Sequence, residues 1–149
     1  MKPLGINSII RILLLAVMMA TAGTATAQNG LGIDEVFERY GHAKGCKMVE
    51  MHNAKLRGYQ LTLYKSLTYK KIGAVVEKYL KEDKRRAKKI REVVEDGKIV
   101  SGYYMMSPKA DNINRYILFS NVRKNEGAII YIEGKLSPDD IMKLCYSKW

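Results

Sequence analysis

Two cysteines and two histidines are all the thiol and imidazole metal ligands that the 149-residue chain has. A zinc site needs at least three well-spaced ligands, and no such cluster is present, so no metal or other cofactor is expected. His42 and Cys46 lie four apart, but Gly45 between them ends the local helix, and no third group stands by to orient a Cys–His nucleophile. No G-x-S-x-G elbow occurs, and no Gly-rich loop follows a strand to cradle a phosphate. Prolines number three, and no low-complexity tract or linker divides the chain. The longest apolar run, Ile12 to Ala20, falls short of the roughly 20 residues a bilayer span requires. No catalytic constellation is visible. The adjacent carboxylates Asp139 and Asp140 are accounted for by the start of a helix rather than by an active site.

What the N-terminus does contain is an export signal. Lys2 and Arg11 precede the apolar run, and small residues lead to Ala25-Thr26-Ala27 before Gln28. Cleavage between Ala27 and Gln28 gives a periplasmic or secreted mature chain, residues 28–149, of one domain's length. The leader carries two of the 26 basic residues and none of the 15 acidic ones, which leaves the mature part at +9. In an exported protein that charge points to lipid headgroups, lipopolysaccharide, acidic glycans or acidic proteins and argues against nucleic acid. Cys46 and Cys145 fall near opposite ends of the mature chain. They read either as a disulfide closing a long loop or as two buried thiols.

Periodicity predicts an α+β domain in the order helix-strand-strand-helix-strand-strand-strand-helix. Its antiparallel sheet has about five strands, with helices packed on one face. Asp34 can cap a first helix, with Val36, Phe37 and Tyr40 at helical spacing. Strands follow over Cys46–His52 and in "GYQLTLYKSL", where Tyr59, Leu61 and Leu63 share a face; "NAKLRG" between them reads as a turn. A long helix is expected from about Lys71 to Asp96, stopped by Gly97. Strands at Lys98–Met106, Ile113–Arg123 and "AIIYIEG" form a meander, interrupted at Pro108 by the loop "SPKADN". Ser137 and Pro138 then open the last helix, as N-cap and first helical residue.

The central helix carries most of the charge. Wound as one helix, it places Ile72, Val76, Tyr79, Leu80, Ala87, Ile90 and Val94 on one face. Lys78, Lys81, Lys84, Arg85, Lys88 and Lys89 fall opposite. Asp83 breaks the apolar arc, so the helix is expected to bend or restart there, with Asp83 capping a second segment. Like-charged pairs four apart, Lys84 with Lys88 and Arg85 with Lys89, oppose helix formation slightly. The excess reads either as a solvated face or as an anion-binding patch of Lys81, Lys84, Arg85, Lys88 and Lys89. Ten tyrosines against two phenylalanines suit a wet rim. Tyr103 and Tyr104 alternate, so at least one is expected at a surface, and Tyr104, Met106 and Lys109 mark a candidate contact loop.

The C-terminal stretch "AIIYIEGKLSPDDIMKL" resembles the closing strand, glycine and short acidic helix of an uncharacterised family of small exported Bacteroidetes proteins. The matching residues are Ile129, Ile130, Ile132, Gly134, Leu136, Asp140, Ile141, Lys143 and Leu144. The resemblance implies export and an α+β fold, with no activity or site residue to transfer. Many relatives of that kind are lipoproteins, whereas this chain has Ala27-Gln28 where the lipid-bearing Cys would stand.

Two functional readings follow, and a third is held against them. One is a non-enzymatic exported binding module that meets an anionic or protein partner through the basic helix. The alternative is an envelope-associated protein held electrostatically to anionic lipid or lipopolysaccharide. A thiol-dependent enzyme would need Cys46 to be reactive.

Overall fold

The computed structural model describes residues 30–146, so the signal peptide and cleavage site expected at residues 1–27 lie outside the described residues. The elements run α1 (Ile33–Tyr40), β1 (Lys47–Leu56), β2 (Tyr59–Tyr69), α2 (Gly73–Lys84), β3 (Lys88–Glu95), β4 (Lys98–Ala110), β5 (Ile113–Arg123), β6 (Glu126–Gly134) and α3 (Pro138–Tyr146). All pairings are antiparallel, in the order β1-β2-β6-β5-β4-β3. The domain is α+β, as expected, with six strands where about five were expected. A four-strand meander, β3 to β6, meets the hairpin β1–β2 along one seam between β2 and β6.

Turn chemistry sets the pairings. Arg57–Gly58 and Asp96–Gly97 hold both central residues at positive φ, the twist that matches tight hairpins. Asn112 and Asn125 supply the left-handed residue in the other two, with φ 64° and 60°. The stretch expected as a turn, "NAKLRG", therefore contributes most of its length to β1, and only Arg57 and Gly58 turn. β4 continues through Pro108 to Ala110. Its register against β5 is irregular between Met106 and Ala110, and no β3 residue pairs beyond Met105, so the proline costs no ladder bond.

The sixth strand comes from the supposed second half of the long helix. α2 ends at Lys84, and Lys88–Glu95 pairs with β4. Asp83 lies one residue before the end of this helix. Its side chain is fully buried, and instead of capping a segment that follows, it caps α1 from fifty residues away. Gly32 N–H donates to Oδ1 at 2.6 Å and Ile33 N–H to Oδ2 at 3.0 Å. Asp34, expected as the cap, instead lies in the first turn of α1. At the other end of the chain the expectation holds. Ser137 Oγ accepts from Asp140 N–H, and Asp140 Oδ2 accepts from Ser137 N–H.

Helices cover both faces of the sheet rather than one. α1 and α2 lay Ile33, Val36, Phe37, Val76 and Leu80 over Leu67, Ile117, Phe119 and Ile129. On the reverse side α3 packs Ile141, Leu144 and Cys145 over Leu61, Tyr64, Tyr116 and Ile132. A bulge in β2 between Leu61 and Leu63 sends these two leucines to opposite faces, although strict alternation would keep them together.

Candidate functional site

The predicted basic patch is a corner and not a helix face. Lys81 and Lys84 lie in the last turn of α2, Arg85 and Arg86 in the connecting turn, and Lys88, Lys89 and Arg91 on β3, the last strand of the sheet. All are exposed except Lys84, which is half-buried.

Lys84 is held by a network that fixes the corner. Its Nζ is 2.6 Å from Glu92 Oε2 on β3, and the same oxygen accepts a hydrogen bond from Tyr104 on β4 at 2.5 Å. Lys89 adds a longer contact to Glu92 at 3.7 Å, and the Lys84 ammonium lies 5.8 Å from the centre of the Tyr104 ring. Burial pushes the Glu92 carboxyl up, but the hydrogen bonds from Lys84 and Tyr104 outweigh it and hold the pKa below the ordinary value. The Tyr104 hydroxyl is pushed well up by burial and by Glu92.

Gly102 makes this geometry possible. It pairs directly with Glu92, and a β-carbon there would fall 2.1 Å from the Tyr104 hydroxyl. The ring of Tyr104 thus crosses the space a side chain at position 102 would fill. Of the patch residues, then, Lys84 and Lys89 neutralise Glu92, and Lys81 pairs loosely with Glu77 at 3.6 Å. Arg85, Lys88 and Arg91 are exposed.

The other sequence candidates are placed differently. Tyr103, Tyr104 and Met106 are buried, because both faces of the sheet are covered, so Tyr104 and Met106 form no contact loop. Lys109 is drawn to Glu133, 3.1 Å from Oε1. Cys46 and Cys145 are free thiols that pack against the cores on opposite faces, so the sheet separates them and the disulfide reading does not hold. Cys46 borders a cleft of about 470 Å³ lined by Lys47, Thr68, Tyr69 and Lys70. Burial pushes its thiol up, away from the reactive thiolate, and neither histidine lines that cleft. Cys145 is pushed up to about 12 by burial. Among the described residues no group of three or more His, Cys, Asp or Glu could hold a metal ion, and no helix is long and apolar enough to cross a membrane.

A second polar feature escaped the sequence reading. Beneath α1, Lys65 on β2 pairs across the sheet with Glu50 on β1 and Tyr131 on β6, and Glu133 pairs with Arg115 on β5. Lys65, Arg115, Tyr131 and Glu133 are all buried. Glu50 binds His52 at 2.7 Å and faces the Lys65 ammonium at 3.5 Å, while Arg115 donates to the carbonyl and hydroxyl of Ser107. Lys65 also lies 5.6 Å from the centre of the Phe37 ring. The signal was a charge within an apolar strand run, Lys65 in "LTLYKSL" and Glu133 in "IIYIEG".

Asp34 borders this band, and one of its oxygens is buried without a hydrogen-bond partner. Burial raises its pKa from 3.8 to about 7, against the lowering influence of the Leu31 N–H and Lys65. A raised folded pKa means the folded state holds a proton the unfolded state has lost. Stability is full below pH 3.8 and declines as pH rises toward about 7. The effect is on the order of 1–2 kcal/mol once solvent screening of this half-exposed group is allowed for. Urea titrations of wild type and Asp34→Asn across pH 4–8 should show that decline in wild type and flatten it in the variant. Parallel profiles would refute the assignment.

No curated protein and no solved structure matches the chain. A profile described as a family of unknown function (DUF6108) matches residues 20–145, all but the ends of the sequence. The described domain falls almost entirely inside that match, and the chain belongs to the DUF6108 family of unknown function.

Proposed function

We propose that this protein is an exported, non-enzymatic binding module that meets an anionic partner at the α2–β3 corner. The observation that carries the reading is the exposed charge of Arg85 and Lys88 beside a carboxylate, Glu92, that already has its own cations. Glu92 is already met by Lys84 and Lys89, so it leaves the exposed charge of Arg85 and Lys88 to solvent, on a frame tied across α2, β3 and β4. A rigid cationic surface of this kind attracts anions over about a Debye length and holds them in a salt-dependent way.

The test is binding of residues 28–149 to anionic phospholipid vesicles and to a soluble polyanion across a salt titration. Binding should be strong at low salt and fall as salt rises. The triple reversal Lys81→Glu, Arg85→Glu, Lys88→Glu should abolish it with the melting temperature little changed, because all three side chains are exposed. Affinity unchanged by the reversal would remove the corner from the function. Binding to vesicles alone, with none to the soluble polyanion, would favour the envelope-held alternative.

A further inference from the structure

The two edges of the sheet are built differently. β1, one edge, is broken in its middle by Asn53, which stands at φ 50° and drops out of the ladder with β2. An interrupted edge of that kind resists pairing with another chain. β3, the other edge, carries one bulge at Ile90, where two of its residues advance against one of β4. From Arg91 to Glu95 it then runs without insertion, the second irregularity falling on β4 at Val100. Alternate main-chain N–H and C=O groups of an edge strand point away from its sheet.

The side chains along β3 add a recognition pattern. Lys88, Lys89 and Arg91 are exposed toward its start, Val94 is 52% exposed, and Glu95 follows. Beside the strand, Arg85 and Lys81 extend the cationic field. The Lys84–Glu92–Tyr104 network holds β3 in place before any partner arrives, which lowers the ordering cost of binding.

We infer that β3 takes an extended acidic segment of a partner protein as a seventh strand. The inference rests on the anionic-partner reading above and names the partner's class. In the antiparallel orientation the segment sets carboxylates against Lys88–Arg91 and an apolar side chain against Val94. Main-chain hydrogen bonds supply affinity and the charges supply specificity.

The experiment compares two synthetic peptides of identical sequence, with alternating glutamate and valine, one of them N-methylated at every second amide. Methylation removes main-chain donors and keeps the charge. The unmethylated peptide should bind residues 28–149 about tenfold or more tightly than its methylated twin, the effect of two or three net hydrogen bonds. Its binding should slow amide exchange in Arg91–Glu95. Equal affinities would overturn strand addition while leaving the charged corner intact. Failure of both peptides, with anionic vesicles still bound, would also overturn it and make the partner a lipid surface. Failure of peptides and vesicles together would bring down the underlying reading as well.

Discussion

Replacing Asp83 by alanine should cost about 2–4 kcal/mol of stability, on the scale of leaving two backbone donors without an acceptor in a buried site. The carboxylate is fully buried and takes both Gly32 N–H and Ile33 N–H, the first donors of α1. α1 has only eight residues, and Gly32 itself offers no capping side chain. A helix that short depends on tertiary contacts and on satisfied ends. Loss of Asp83 should therefore be felt by Ile33, Val36 and Phe37, the residues α1 buries. Burial pushes the Asp83 pKa up, against the two N–H groups and Arg86, so the carboxylate is kept at some expense to the ionised form. Asp83→Asn should cost less, since it retains one acceptor. Arg86→Ala should cost under about 1 kcal/mol, as the guanidinium is 3.6 Å away and exposed. Urea denaturation orders the three variants, and amide exchange at Gly32 and Ile33 reports the cap directly. An alanine variant within about 0.5 kcal/mol of wild type would show that α1 does not depend on this residue.

Gly102→Ala should cost about 1–3 kcal/mol, the range of overpacking in a filled core. The new methyl would meet Tyr104 at its hydroxyl, ring carbon Cζ and Cε2, all at 2.5 Å or less. Tyr104 is buried and cannot swing into solvent without uncovering the core beneath α2. The ring must shift, and the hydrogen bond to Glu92 goes with it. Freed from Tyr104, Glu92 should also titrate closer to its ordinary value, because one of its two stabilising hydrogen bonds is lost. A double-mutant cycle with Tyr104→Leu separates the clash from the hydrogen bond. In the leucine background Gly102→Ala should be nearly neutral. If alanine costs the same in both backgrounds, steric conflict with Tyr104 is not its cause.

Local chemistry was legible in the sequence, and long-range chemistry was not. The α3 start was readable because Ser137, Pro138 and Asp140 carry the whole capping arrangement within four residues. β5 was placed at Ile113–Arg123 because turn residues bound it on both sides. The segment from Lys71 to Asp96 misled because its apolar residues fit a 3.6-residue period and Lys, Arg and Glu favour helices. Two contrary signals were present. Asp83 interrupted the apolar arc, and Asp96–Gly97 between "REVVE" and "KIV" is a hairpin dipeptide. Burial of both faces explains the tyrosines. Where each face is covered by helices, consecutive residues such as Tyr103 and Tyr104 can both be core. The pairing of Lys65 with Glu50, or of Lys109 with Glu133, depends on strand register, which single-sequence periodicity does not contain.

The seam between β2 and β6 sets an order of assembly. The meander from Lys88 to Gly134 can pair strand by strand, each with the strand just made. The hairpin β1–β2 can do the same, but it gains its second neighbour only when β6 has been synthesised. α1 waits too, since the carboxylate that caps its start lies fifty positions later. The N-terminal hairpin thus gains its second neighbour only with β6, and α1 its cap only with the end of α2.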